Sequence, residues 1–267
     1  MKQPLPSNGL LGTRYVDMRE PNFGDVRRAI NATNDDFLFK MEFVSGLADF
    51  DPHKVTMDDI EHLYTLGAAA CSFNTLRFTI KCAECGKPIR NDFTIGVDDI
   101  PVVTLDKHFK KCRKVLNGVE YNYHVLSAAD GVDIYTYALD DSEHDKMVED
   151  ATVCKVLGRE ITDENIAWVN TIPVAIYVSC FLFMKANKHG MVLEKKVKCA
   201  DCGKETTVHM ELDSSWVKMD IPSFVAQYAV IRDYLDFKSF LDFTVPEYEN
   251  FKDYLKAEAQ KYEQQIS

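Results

Sequence analysis

The sequence predicts an α+β fold built of two related halves, and two observations predict it. The phrase Lys81-Cys82-Ala83-Glu84-Cys85-Gly86-Lys87 returns, 117 residues later, as Lys198-Cys199-Ala200-Asp201-Cys202-Gly203-Lys204. Each copy also sits in the same order of segments: apolar helix, strand, knuckle, strand, helix. A Cys-x-x-Cys-Gly turn is a zinc knuckle. Its two sulfurs converge on one metal, and the glycine permits the tight backbone between them. Asp99-Ile100-Pro101 after the first knuckle is echoed by Asp220-Ile221-Pro222 after the second, which adds to the case for an internal duplication.

The elements follow in order. Arg14 to Met18 alternates and reads as a strand. Asn22-Phe23-Gly24-Asp25 starts a helix with Val26, Ile30 and Phe37 on one face. Asp51-Pro52 breaks the chain, and Thr56-Met57-Asp58-Asp59 caps the next helix, which runs toward Ala70. Phe73 to Lys81 alternates into the first knuckle, and Asn91 to Ile95 leads out of it. Thr104-Leu105-Asp106 begins a helix through Leu116, stopped by Asn117-Gly118. Glu120 to Leu126 and Val132 to Leu139 read as two strands around Ala128 to Gly131. Thr162-Asp163-Glu164 caps a helix that leads into the apolar run Ile172 to Met184. Met191 to Lys198 and Thr206 to Leu212 flank the second knuckle; Ile221-Pro222-Ser223 opens another helix. Val245 to Ser267 is a charged amphipathic helix with Tyr248, Phe251, Leu255 and Tyr262 on one face. The motifs divide the chain into 1–118, a β-rich connection at 119–160, and 161–267.

Bulk properties narrow the function classes. A net charge of −11 argues against a protein whose main work is coating nucleic acid or an anionic membrane. Met1 to Leu11 carries two prolines and no long apolar stretch, unlike a secretory signal. Ile172 to Met184 is too short to span a bilayer and reads as a buried helix. Of eight cysteines, four lie in the knuckles, while Cys71, Cys154 and Cys180 sit among apolar neighbours as small core residues. A reduced, intracellular setting with zinc fits this usage better than a disulfide framework.

The first knuckle has local partners. His108 and Cys112 stand four residues apart on the expected helix, so both project from one face. Cys82, Cys85, His108 and Cys112 then form a closed, structural zinc site of thiolates and imidazole. The second knuckle, Cys199 and Cys202, has no such pair after it. Three arrangements are open. It holds its own zinc with scattered ligands, His209, Cys180 and His189 being candidates. It joins Cys82 and Cys85 in one four-cysteine site, as in a zinc ribbon. Or it is metal-free.

Other groups carry little chemistry. Lys107, Lys110, Lys111, Arg113 and Lys114 form a basic face that reads as a solvated helix side; with the duplicated knuckles it carries the alternative reading, a zinc-ribbon nucleic-acid-binding or regulatory protein, which the net charge opposes. Asp140 to Asp145 is a charged cluster that reads as a solvated linker. There is no Gly-rich phosphate loop, no His-Glu-x-x-His and no serine elbow. A catalytic zinc on Cys199, Cys202 and His209 would lack a convincing general base, with only Glu205 and Glu211 close in sequence.

The N-terminal third resembles a known family. Leu5-Pro6-Ser7-Asn8-Gly9, then Val16-Asp17-Met18-Arg19-Glu20-Pro21, then a helix from Phe23-Gly24-Asp25, is similar to the opening of baseplate hub and hub-assembly proteins of contractile-tailed, T-even-like bacteriophages. Those proteins continue with a helical segment and a strand into Cys-x-x-Cys-Gly, as at Cys82 to Gly86. The resemblance covers residues 5–100 and leaves the second knuckle and the tail unmatched. It implies a non-catalytic structural or assembly subunit that touches other hub and tail-tube proteins. Its setting would be the virion tail baseplate, assembled in the host cytoplasm in several copies.

Overall fold

The computed structural model describes residues 1–105, 113–139, 143–217, 221–231 and 236–266. Among them the fold is α+β, with ten α-helices and five separate two-stranded antiparallel sheets. The chain opens with β1 (Lys2–Pro4) paired to β2 (Tyr15–Asp17), then α1 (Phe23–Ala32), α2 (Asp36–Leu47) and α3 (Met57–Ala70). The hairpin β3 (Thr75–Lys81) and β4 (Pro88–Thr94) follows, then β5 (Val102–Val103), β6 (Arg113–Leu116) and β7 (Val119–Asn122). Next come α4 (Ala128–Ala138), α5 (His144–Val156), α6 (Asp163–Val169) and α7 (Val174–Ala186). The last part holds β8 (Gly190–Met191), β9 (Leu193–Lys198), β10 (Glu205–Met210), α8 (Ile221–Ile231), α9 (Phe237–Asp242) and α10 (Val245–Ile266).

Short polar side chains set the helix starts. The Asn22 side chain accepts the Asp25 N–H at 3.0 Å and Asp25 accepts the Asn22 N–H at 2.9 Å, a reciprocal capping box. Thr56 and Asp59 do the same for α3, Ser127 and Asp130 for α4, Thr244 and Glu247 for α10. Each removes two unpaired backbone donors from a helix end.

The chain forms two compact units, each discontinuous in sequence. One comprises Met1–Met18, Asn34–Leu63 and Pro101–Val192. Its core gathers Ile134, Val153, Cys154, Ile166, Cys180 and Phe183 from α4, α5, α6 and α7. The other comprises Arg19–Thr33, Tyr64–Ile100 and Leu193–Ser267, and both knuckles belong to it. There Phe23 of α1 stacks on Phe240 of α9 at 4.7 Å and meets the edge of Tyr248 of α10 at 5.3 Å. This partition follows packing; the divisions after residues 118 and 160 follow the order of motifs.

Four expectations are corrected. Residues 113–116 are strand, not the end of a helix. Asn117 and Gly118 have φ of +54° and +78°, the conformation of a two-residue hairpin turn, and Leu116 pairs with Val119 across it. The asparagine–glycine pair between alternating residues turned the chain back rather than ending a helix. Residues 132–139 lie in α4 and just beyond it, not in a strand. The Ser127 box starts the helix, and Ala128, Gly131, Ile134 and Ala138 are buried at helical spacing. Phe37 does not extend the face of α1; Asp35 caps a separate helix, α2, by accepting the Leu38 N–H at 2.9 Å. Finally, α7 is buried on one side only. Ile176, Cys180 and Phe183 are covered, while Val174, Val178 and Leu182, one turn apart on the other side, are 76%, 47% and 61% exposed. No single described helix is long and apolar enough to cross a membrane. The two Asp-Ile-Pro echoes also part company, since the first runs into β5 and the second opens α8.

Candidate metal centre

The two knuckles are built alike. In the first, the Cys82 N–H donates to the Lys87 carbonyl at 2.8 Å and the Gly86 N–H to the Cys82 carbonyl at 2.9 Å. In the second, Cys199 bonds Lys204 and Gly203 bonds Cys199, both at 2.9 Å. Gly86 and Gly203 have φ of +69° and +73°, a region that a side chain makes costly, which is why each knuckle ends in glycine. The flanking strands register identically: Lys81 opposes Pro88, and Lys198 opposes Glu205. Alternation then decides the faces. Ile80, Ile89 and Phe78 of the first hairpin pack with Val197 and Val208 of the second around Cys82 and Cys199. Lys195 of β9 ties the hairpins further, donating to the Asp92 carbonyl at 2.7 Å and to the Asp98 carboxylate at 3.1 Å.

This packing brings four sulfurs together. Cys82, Cys85, Cys199 and Cys202 have their Sγ atoms within 4.8 Å of one another. Cys82 lies 3.6 Å from Cys202, and Cys85 lies 3.6 Å from Cys199. A tetrahedral zinc with bonds of about 2.3 Å sets its sulfurs about 3.8 Å apart, so the cluster is already near the size a zinc ion needs. The donor set is all thiol, and four ligands fill a tetrahedral shell without an open position for water. Cys82 and Cys199 are buried, Cys85 and Cys202 exposed. The cluster therefore lies at the end of the hairpin pair, reachable by an incoming ion.

The electrostatics set Cys82 apart from the core thiols. The backbone N–H groups of Cys85 and Glu84 aim at the Cys82 sulfur and draw its pKa down to about 7. The Lys204 N–H pulls Cys202 the same way, but partial desolvation within the cluster and three neighbouring sulfurs outweigh it and push Cys202 up to about 12. Four adjacent thiols cannot all ionise without a cation between them. Cys71 and Cys180, in contrast, are pushed up to about 12 by burial alone or mainly so, as befits inert core thiols.

The structure thus brings Cys82, Cys85, Cys199 and Cys202 into one group. His108 and Cys112, the expected partners of the first knuckle, lie outside the described residues, as do Lys107 to Lys111 of the basic face. Of the scattered candidates, His209 stands on the exposed face of β10 with its Nδ1 3.3 Å from Glu194. Cys180 lies in the core of the other unit. His189 is committed elsewhere: its Nε2 meets the Thr56 hydroxyl at 2.7 Å, and its Nδ1 meets the Asn187 carbonyl at 2.8 Å and Asp58 at 3.1 Å. That last set has the connectivity of a nucleophile, base and acid. Thr56 is fully buried, and its hydroxyl also accepts the Asp59 N–H at 3.1 Å as the cap of α3. The sequence places both knuckles and leaves their union as one of three open arrangements; the structure brings the four sulfurs together. The signal was present in the equal flanking patterns, which demand one common inner face. No protein-family model, curated protein or solved structure matches this chain.

Proposed function

We propose that Cys82, Cys85, Cys199 and Cys202 hold one structural zinc ion that clamps two hairpins into a single rigid module, and that the chain works as a non-catalytic subunit through protein contacts. The observation that carries the first part is the four-sulfur cluster assembled from two hairpins far apart in sequence. Its five-residue apolar core is small, and paired hairpins of this size are marginal in water without a staple. The likeness of the two knuckles, down to their hydrogen bonds, supports a duplicated hairpin within two related halves. The resemblance of residues 5–100 supports the setting: a structural or assembly subunit of a contractile phage tail baseplate, in the hub region.

Two measurements test this. Native mass spectrometry before and after chelation counts the metal; one zinc per chain is expected, and none or two overturns the shared site. Sedimentation of tail particles from infected cells tests the setting. The chain is expected to travel with hub proteins, and its presence solely as a free monomer overturns the baseplate reading.

A further inference from the structure

The charge on this chain is unevenly spread. Segments 75–95 and 193–210, the two zinc hairpins, hold eight Lys and Arg against five Asp and Glu, a net +3 inside a chain of net −11. The remainder therefore carries −14. The cations also differ in how they are used. Elsewhere many are paired, as in Arg19 with Asp25, Lys40 with Glu61, and Lys155 with Asp133. Of the eight on the hairpins, Lys195 alone forms an ion pair with a described carboxylate.

Four of them share one surface. Alternation puts Arg77, Thr79 and Lys81 of β3 and Pro88, Arg90 and Asp92 of β4 on the face opposite the zinc-side core. Arg77 opposes Asp92 and Thr79 opposes Arg90, so the two arginines are diagonal neighbours flanking a shallow cleft of about 370 Å³. Lys87 lies at the turn. Lys81 and Lys87, with Lys198 and Lys204, also flank the sulfurs, where they offset the charge of four thiolates. Arg77 and Arg90 stand three to five residues further up the ribbon and have no such duty.

We infer that the outer face of the β3–β4 ribbon is a contact surface for double-stranded DNA. Bidentate guanidinium groups suit phosphate oxygens and guanine edges alike. A two-stranded ribbon is one of the shapes the major groove of B-form DNA admits, whereas the A-form RNA groove is too narrow. Phe78 borders the cleft but packs inward on the zinc-side core and against Phe93, so its ring is not laid out on the face for a single strand to stack on. The acidic remainder does not forbid the contact, because charges more than about 8 Å from a phosphate are largely screened at physiological salt.

The test is fluorescence anisotropy of a labelled 20-base-pair duplex with the zinc-loaded protein at 50–200 mM salt. Four phosphate contacts, at a slope of about 0.9 each, predict an affinity that falls about 100-fold over that range. Arg77→Glu/Arg90→Glu is expected to weaken binding at least about tenfold at 50 mM salt and to lower the slope by about 2. Its zinc content, unchanged, reports that the hairpins remain intact. Lys252→Glu/Lys256→Glu, on α10, makes the same change in net charge outside the ribbon and is expected to leave binding nearly as it was. Absence of duplex binding at 50 mM salt overturns the inference. So does an equal loss in the control pair, or single-stranded DNA bound as tightly as duplex. Displacement of the duplex by poly-L-glutamate at equal charge also overturns it, and assigns the face to an acidic polypeptide instead.

Discussion

Cys199→Ser separates the shared cluster from two independent sites, because the two arrangements send its effect to different places. If each knuckle held its own metal, the change would free one ion and leave the first hairpin untouched. With a shared cluster it removes one of four ligands from the sole zinc, and the first hairpin loses its clamp although no residue in it has changed. The size can be worked out. Structural zinc contributes about 10–16 kcal/mol in small metal-folded domains, so one ligand in four is about 3–4 kcal/mol, or 100- to 1000-fold in affinity. Full loss of the clip frees the 114-residue span from Cys85 to Cys199, worth about 5 kcal/mol in unfolded-chain entropy. What remains between the hairpins is a five-residue core. The assay is hydrogen exchange resolved by segment, read at β3–β4, with zinc counted on the same samples. Exchange at residues 75–81 and 88–94 is expected to accelerate by at least about 100-fold, matching the lost affinity. Unchanged protection of β3–β4 in a Cys199→Ser protein that has lost its zinc would refute the clamp.

Three further outcomes concern the rest of the fold. Burial pushes the His62 pKa down to about 4, and its Nδ1 has no hydrogen-bond partner. The unfolded chain, with a histidine pKa near 6.5, then binds more protons than the folded one between pH 6.5 and 4. Stability is complete above that window and falls by about 2.5 kcal/mol on going to pH 4.5; urea midpoints should show it, and His62→Asn should lose this part of the pH dependence. Gly131→Ala gains helix propensity of about 1 kcal/mol, but the new methyl would lie 2.5 Å from the Phe37 ring and 3.0 Å from Met57. Overpacking costs about 1–3 kcal/mol, so a net lower melting temperature is expected. Asp25→Asn weakens the capping box of α1 and the two-pronged contact with Arg19 at 2.6 and 2.7 Å, on a carboxylate that is 3% exposed. A loss of about 2–4 kcal/mol in chemical denaturation is expected.

Much of this molecule was legible in its residues, and the failures have physical causes. Capped helix starts were plain because Asn22, Thr56 and Thr162 act on their own next turn, within reach of local sequence. The strands around each knuckle were plain because alternation and a tight turn leave little else. The middle of the chain was misread for the same local reasons. Val132 to Leu139 alternates well enough for a strand, yet Ser127 and Asp130, just upstream, commit it to helix. Asn117-Gly118 ends helices and turns hairpins equally well, and the flanking Lys114-Val115-Leu116 and Val119-Glu120-Tyr121 decided between them. At the centre, His108 and Cys112 drew attention because they are near Cys82 in sequence. Those two lie outside the described residues; among the described ones the neighbours of Cys82 and Cys85 are Cys199 and Cys202, set by the apolar inner faces of two hairpins, which show in the equal flanking patterns and not in spacing along the chain.

The separation of the two knuckles also bears on how the protein is made. At about 5–20 residues per second, the ribosome adds the 114 residues from Cys85 to Cys199 in roughly 6–23 seconds. Throughout that interval the nascent chain carries one finished knuckle whose thiols have no complement, a half-site able to take up a stray ion or to pair with another growing chain. Exchange of the second hairpin between two such chains would close both sites with the same contacts. Metal supply during translation, rather than afterwards, would then decide how much of the protein emerges as closed single chains.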